Sequence, residues 1–109
     1  MDKKQAVEIA EKFAEVVIDK FAADVHKVVL YGSYARDTMT EWSDIDIAVI
    51  VDSVKDDYWA ANVKLFDLAL DVDDRIEPNL LFNKEDITDF LPNVLRTGKI
   101  VYDATKRVH

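Results

Sequence analysis

The sequence predicts an α/β (α+β) fold in which helices flank a small mixed β-sheet. Segments with apolar residues every three or four positions alternate with short apolar runs, which is typical of helices packed on a sheet. No internal repeat, low-complexity tract or linker interrupts the 109 residues. A chain of this length supports one modest hydrophobic core, so we expect residues 1–109 to form a single domain.

The first predicted element is an amphipathic helix from Lys3 to about Phe21. Its apolar residues are spaced by four, three, four and four positions, and charged residues occupy the opposite face. They are Ala6, Ala10, Phe13, Val17 and Phe21. A short buried strand follows over residues 28–31 and ends at Gly32. After Ser33 we expect a short helix or a turn that faces back towards the glycine.

The clearest strand in the sequence runs from Asp44 to Val51. Every second residue is a large aliphatic one, which predicts that one face of the strand is buried. A second helix should follow, with Asp52 or Ser53 as its N-cap. The stripe that we expect this helix to turn towards the core consists of Trp59, Val63, Phe66 and Leu70.

The second half of the chain predicts two more strands and one more helix. Residues 75–82 form a third strand, and Pro78 places it at a sheet edge or a bulge because proline donates no ladder hydrogen bond. Pro92 fits the first turn of a short helix that ends near Gly98. Residues 99–102 add a last strand. This pattern does not fix the order or the direction of the strands.

Composition excludes several classes of function. The 22 acidic and 14 basic residues give a net charge of −8, which disfavours direct binding to DNA or RNA. Nowhere do about 18 apolar residues run together, so we expect no membrane span, and the charged start does not resemble a signal peptide. The absence of cysteine fits a reducing compartment. We therefore expect a cytoplasmic protein.

Two aspartates on the clearest strand are candidate metal ligands. Side chains alternate across a strand, so Asp44 and Asp46 project to one face, about 6.6–6.8 Å apart along the chain. Two neighbouring carboxylates repel each other unless a positive charge lies between them, and Mg²⁺ commonly joins carboxylates to substrate phosphates. A solvated strand face with two ordinary aspartates is the alternative that this spacing alone leaves open.

The glycine after the first strand supplies a second part of the candidate site. Gly32 lets the backbone approach a phosphate closely, and the N–H groups of Gly32 and Ser33 can then donate to it, helped by a following helix N-terminus. A reaction that uses two metal ions also needs a further carboxylate. The third strand offers Glu77, and Asp73 and Asp74 are the alternatives.

Together these motifs resemble those of the minimal nucleotidyltransferase (MNT) family, which is related to the DNA polymerase beta palm. The matching segments are Leu30-Tyr31-Gly32-Ser33, Ser33-Tyr34-Ala35-Arg36, Asp44-Ile45-Asp46-Ile47 and Arg75-Ile76-Glu77-Pro78. The resemblance implies a nucleotidyltransferase fold in which Asp44, Asp46 and Glu77 are catalytic and bind Mg²⁺, with two metal ions. It also implies that Gly32 and Ser33 bind the triphosphate of ATP.

The same resemblance implies a role for Arg36 beside the phosphates. It also exposes a departure at Asp37, which stands where such sequences often carry glycine. Aspartate tolerates left-handed backbone geometry better than most residues, so the loop can keep its shape. An additional negative charge near a phosphate would nevertheless weaken nucleotide binding.

In terms of function, the resemblance implies adenylyl transfer from ATP to a hydroxyl group. Since the chain is too short for a separate acceptor-binding domain, we expect a second polypeptide to provide the acceptor. The resemblance suggests a helical HEPN-type toxin, which this chain would neutralise as an antitoxin. The alternative is a non-catalytic antitoxin, or a nucleotide-binding regulatory subunit, that masks its partner by binding. Self-association into a homo-oligomer stays open.

Overall fold

Helices cover both faces of a four-stranded mixed sheet. The structure, a computed structural model, describes residues 1–84 and 90–106. Its elements in chain order are α1 (Lys3–Lys20), β1 (Ala23–Tyr31), β2 (Ile45–Val54), α2 (Tyr58–Val72), β3 (Ile76–Phe82), α3 (Phe90–Thr97), β4 (Lys99–Asp103) and a single 3₁₀ turn (Ala104–Lys106). This architecture confirms the predicted fold class. None of the helices in these described ranges is both long enough and apolar enough to cross a bilayer.

The strands lie in the order β3-β2-β1-β4. β1 runs antiparallel to both of its neighbours, whereas β2 and β3 are parallel. β3 is therefore an edge strand, which confirms the edge position that Pro78 predicted. The N–H group that Pro78 lacks is not needed for a hydrogen bond between two central strands. The parallel pairing starts the two strands at the same end of the sheet, where Asp46 of β2 is opposite Glu77 of β3.

The alternation of β2 divides the core into two layers. One layer packs under α1 and α2 and contains the predicted aliphatic face of the strand, Ile45, Ile47, Val49 and Val51. The other layer is smaller. In it, Ala48 and Ile50 of β2 and Val29 of β1 pack against Leu91 and Val94 of α3. The face that carries α3 is also the face of Asp46, because side chains two residues apart share a face.

Two strand boundaries differ from the prediction. β1 begins at Ala23, five residues before the apolar run, because its polar first half pairs with the extended end of β2 through a register shift near Val25. Asp52 and Ser53 lie inside that extension of β2 and cap no helix. The N-cap of α2 is Asp57, whose Oδ1 accepts from the backbone N–H of Ala60 at 2.8 Å.

The predicted core face of α2 is wrong. The buried residues of the helix are the small and aliphatic ones on the opposite side, Ala61, Leu65, Leu68 and Ala69. The expected stripe is exposed to solvent, and its members are Trp59, Val63, Phe66 and Leu70. This helix is apolar on two faces, so periodicity alone could not decide which of them packs against the sheet.

Candidate active site

One row of side chains crosses three neighbouring strands at one end of the sheet. Tyr31 of β1 pairs with Asp46 of β2, and Asp46 pairs in turn with Glu77 of β3. Because directly paired residues project to the same face of a sheet, these three side chains are neighbours. The structure therefore brings together two carboxylates that are 31 residues apart in the sequence.

The electrostatics of this row centre on Asp46. Its side chain is half-buried, whereas Asp44, just before β2, and Glu77 are exposed. Burial, and then the negative charges of Glu77 and Asp44, raise the pKa of Asp46 from 3.8 to about 6. The Arg36 guanidinium acts in the opposite direction. The other three charged residues predicted for the site, Asp44, Glu77 and Arg36, thus all lie close enough to influence the Asp46 carboxylate.

Gly32 lies in direct contact with this carboxylate. It has a φ of +74°, in the left-handed region that side chains other than glycine rarely adopt. A Cβ atom placed on Gly32 would collide with Oδ2 of Asp46 and would also come within 3.1 Å of its Cγ. The lack of a side chain at Gly32 therefore lets the end of β1 approach Asp46, so that backbone and carboxylate can face the same ligand.

The segment after the glycine is a series of turns and not a helix. The backbone N–H of Arg36 donates to the Gly32 oxygen at 3.2 Å, and that of Thr38 donates to the Ser33 oxygen at 2.9 Å. Within the described residues, the backbone N–H of Ser33 donates to no protein acceptor. The expected helix N-terminus is thus absent from residues 32–37, and the groups available to an anion here are turn N–H groups and the Arg36 side chain.

Asp37 adopts the left-handed geometry expected of it, with a φ of +58°. Its negative charge has a cation beside it, because Nζ of Lys3 lies 3.5 Å from Oδ2 of Asp37. The same Nζ donates to the Ala35 oxygen at 3.1 Å. The start of α1 therefore holds the turn in place and offsets the additional charge that the departure from glycine introduces.

The carboxylate oxygens of Asp44, Asp46 and Glu77 are the type of ligand that a divalent cation prefers. Mg²⁺ prefers oxygen ligands, and a bound cation would favour the ionised form of Asp46, whose pKa is raised by burial and then by the neighbouring carboxylates. In the part of the chain that the structure describes, no three acidic, histidine or cysteine side chains are already close enough to hold a metal ion. Asp44, Asp46 and Glu77 are the residues that could do so.

Asp73 and Asp74 do not join the row. Asp73 is the C-cap of α2 and pairs with Arg75 at 2.7 Å, and this hydrogen bond lowers the pKa of its carboxyl group. Asp74 is exposed in the turn before β3. Glu77 is therefore the acidic residue that the third strand places next to Asp46.

Tyr31 and Asn79 are neighbours of the site that the sequence did not identify. Nδ2 of Asn79 donates to the Tyr31 hydroxyl at 3.1 Å, and the Tyr31 ring meets Phe90 edge-on at a centroid distance of 5.7 Å. Burial, and to a smaller extent Asp46, raises the pKa of Tyr31, although the Asn79 hydrogen bond opposes this. The sequence carries one signal for Asn79. It follows Glu77 by two residues, so the two side chains lie on the same face of β3.

Comparison with known proteins identifies a nucleotidyltransferase family over most of the chain. Residues 8–107 match the family described as "Polymerase beta, Nucleotidyltransferase". Two proteins of Methanocaldococcus jannaschii, both named "Putative protein adenylyltransferase", are similar in sequence. The first is 33% identical over 104 residues, covering 94% of this chain and 100% of the relative. The second is 31% identical over 112 residues, covering 94% and 76%.

Solved structures share the fold. A Sulfolobus solfataricus protein described as a "putative nucleotidyltransferase" superposes with a TM-score of 0.70 at 18% identity, over 98% of this chain and 88% of that one. A toxin–antitoxin structure with AMP-PNP gives a TM-score of 0.65 at 26% identity, over 88% and 75%. A tri-AMPylated Shewanella oneidensis HEPN toxin in complex with an MNT antitoxin gives 0.61 at 22% identity, over 95% and 75%.

The family match and the geometry agree on the type of protein. The match spans nearly the whole chain, and it includes the turn at Gly32, the aspartates of β2 and the carboxylate of β3. The chain belongs to the polymerase beta nucleotidyltransferase family and is a nucleotidyltransferase.

Proposed function

We propose that this chain transfers the adenylyl group of ATP, in a Mg²⁺-dependent reaction, to a hydroxyl group on a HEPN-type partner protein and thereby acts as its antitoxin. The observation that carries the proposal is the position of Asp46. Its carboxylate is influenced by the charges of Asp44 and Glu77, it is paired across the sheet with Glu77, and it lies against the backbone of Gly32. A nucleoside triphosphate with its cation has the charges that such a site can bind.

The turn at the end of β1 is the proposed phosphate side of the site. The N–H group of Ser33 donates to a phosphate oxygen, and the Arg36 guanidinium adds a positive charge close to Asp46. Gly32 keeps this turn near the carboxylates, since a side chain there would collide with the Asp46 carboxylate. The turn therefore positions the triphosphate without contributing a covalent step.

The carboxylates are the proposed cation side. Asp44, Asp46 and Glu77 would hold Mg²⁺, which would neutralise the charge that develops on the phosphate oxygens. The acceptor hydroxyl oxygen forms a bond to the α-phosphorus while the bond from that phosphorus to the bridging oxygen breaks, and pyrophosphate leaves. Glu77 accepts the hydroxyl proton, because its exposed carboxylate can reach an incoming acceptor.

The relatives support the choice of substrate and acceptor. Both Methanocaldococcus proteins carry a name that includes protein adenylyltransferase, and the chain covers at least 76% of each. The toxin–antitoxin structure at 26% identity was solved with an ATP analogue. The resemblance to MNT antitoxins points to a helical HEPN-type acceptor, and ATP and Mg²⁺ are both abundant in the cytoplasm, where we place the reaction.

The test is a labelling experiment with the chain and the helical protein that co-purifies with it. Both are incubated with Mg²⁺ and ATP labelled at the α-phosphate, using the wild type, Asp46→Asn and Glu77→Gln. Asp24→Asn is the matched control, because Asp24 is exposed at the far end of β1. We expect the partner to be labelled by the wild type and the control only.

Two outcomes would change the conclusion. If the partner binds but no sample labels it, the chain masks its partner without catalysis. If Asp46→Asn labels the partner as fast as the wild type, the carboxylate row is not the catalytic centre. γ-labelled ATP is the remaining control, since adenylyl transfer leaves that label in pyrophosphate and none on protein.

A further inference from the structure

The outer face of α2 carries a continuous apolar stripe. Trp59, Val63, Phe66 and Leu70 follow one another at spacings of four, three and four residues, so they lie along one side of the helix. Their exposed fractions are 77%, 46%, 47% and 64%, respectively. Isolated apolar residues on a surface are common, but a contiguous stripe with two aromatic side chains is characteristic of an interaction surface.

The helix is fixed with this stripe facing outwards. Its opposite side is buried in the core through Leu65 and Leu68. At its first residue, the Tyr58 hydroxyl donates to the Leu80 oxygen at 3.1 Å, and the Tyr58 ring lies 5.8 Å from that of Phe82. Rotating α2 to bury the stripe would break these contacts and expose the leucines. The stripe is therefore a stable feature of the folded chain.

The charges around the stripe define what can cover it. Asp67 lines the same shallow groove as Trp59 and Phe66, and Asp71 follows one turn later on that side. Lys64 is the one basic residue within α2. An apolar strip with an acidic border is complementary to an apolar strip with a basic border.

We propose that the α2 stripe docks a partner protein through an amphipathic helix whose apolar face is bordered by lysine or arginine. A second copy of this chain fits poorly, because each copy carries a net charge of −8 and would bring Asp67 and Asp71 against like charges. Two large aromatic side chains, Trp59 at the start of the stripe and Phe66 within it, supply the anchors that such docking needs.

This surface is separate from the carboxylate row. α2 packs on the face of the sheet that contains Ile45 and Ile47, whereas Asp46 projects to the other face, beside α3. A partner held on α2 therefore leaves the row around Asp46 open. The docking proposal does not depend on nucleotidyl transfer, and Asp46→Asn should bind the docking partner as the wild type does.

The test uses a synthetic helical peptide as the probe. It is about 15 residues long, the length of α2, with one leucine face bordered by lysine and arginine; a matched peptide carries glutamate at the border positions. Binding to the full chain is followed by the fluorescence anisotropy of the labelled peptide. The variants are Trp59→Ser on the stripe and Trp42→Ser, which removes an equally exposed tryptophan (85%) from the loop before β2.

We expect the basic peptide to bind more tightly than the acidic one, and added salt to weaken it. Trp59→Ser should reduce its affinity about tenfold, while Trp42→Ser leaves it within about twofold. Equal effects of the two tryptophan substitutions, or equal binding of both peptides, would overturn the proposal. So would a dimer in sedimentation that Trp59→Ser dissociates, because the stripe would then serve a second copy. Thermal unfolding checks that each variant is folded.

Discussion

Replacing Asp46 with asparagine should stabilise the fold while abolishing catalysis. The folded state raises the pKa of this carboxyl group from 3.8 to about 6, mainly by burial and then through the charges of Glu77 and Asp44. The ionised carboxylate is thus less stable in the folded chain than in the unfolded one. The protonated carboxyl group contributes stability that is fully present below pH 3.8 and is lost as the pH rises through about 6. An uncharged amide of similar shape avoids that loss.

The magnitude follows from the size of this shift. A difference of about two pKa units corresponds to about 3 kcal/mol at neutral pH, and solvent screening of a half-exposed group reduces it to about 1–2 kcal/mol. In a domain of this size, such a change raises Tm by roughly 4–10 °C. At pH 5 about half of the difference should remain, because the wild-type carboxyl group is then mostly protonated in the folded state.

The assay is urea unfolding with EDTA at pH 7.5 and pH 5, comparing the wild type with Asp46→Asn. Asp24→Asn removes one charge from an exposed position far from the row and serves as the control. Adding Mg²⁺ at pH 7.5 should stabilise the wild type more than Asp46→Asn. If Asp46→Asn is less stable than the wild type at pH 7.5 in EDTA, the folded state does not destabilise the ionised Asp46 carboxylate, and the reasoning is refuted.

Three further substitutions test other parts of the structure. Gly32→Ala should cost at least about 1–2 kcal/mol from its left-handed φ. In urea unfolding this cost should shrink in an Asp46→Ala background, which removes the Oδ2 and Cγ atoms that the new Cβ would meet. Tyr31→Phe should cost about 1 kcal/mol, because the Asn79 amide loses its acceptor, and an equal cost in an Asn79→Ala background would contradict this. Asp57→Ala removes the N-cap of α2 and should lower the unfolding free energy by about 1 kcal/mol without changing the rate of labelling.

The sequence was sufficient for those parts of the site that depend on local geometry. Alternation along β2 placed Asp46 on the face opposite Ile45, and a glycine after a strand marked the turn that contacts Asp46. The missing N–H group of Pro78 predicted that β3 lies at a sheet edge or at a bulge, and β3 is an edge strand. These inferences needed only the two-residue period of a strand and the properties of single residues, so they did not depend on how the sheet was assembled.

Which residues lie beside Asp46 in the row depends on the order of the strands in the sheet, and no local sequence signal specifies that order. Tyr31 meets Asp46 because β1 and β2 are antiparallel neighbours, and Glu77 meets it because β3 joins the other edge in parallel. Glu77 was preferred to Asp73 because it is an acidic residue within an otherwise apolar strand, and the pairing of β3 with β2 places it opposite Asp46. Tyr31 and Asn79 were missed because their contact joins residues 48 positions apart across an intervening strand.

The misassigned face of α2 has a cause in packing. α1 turns a surface of small residues towards the core, including Ala6, Ala10 and Ala14. Small residues allow two helices to approach closely, and α2 provides Ala61 and Ala69 beside Leu65 and Leu68 on its buried side. Its aromatic stripe would have held the two helices apart and left cavities between them. The fold therefore buries the face of α2 that fits and leaves the more apolar one outside, and it is this excess of apolar surface that a partner can use.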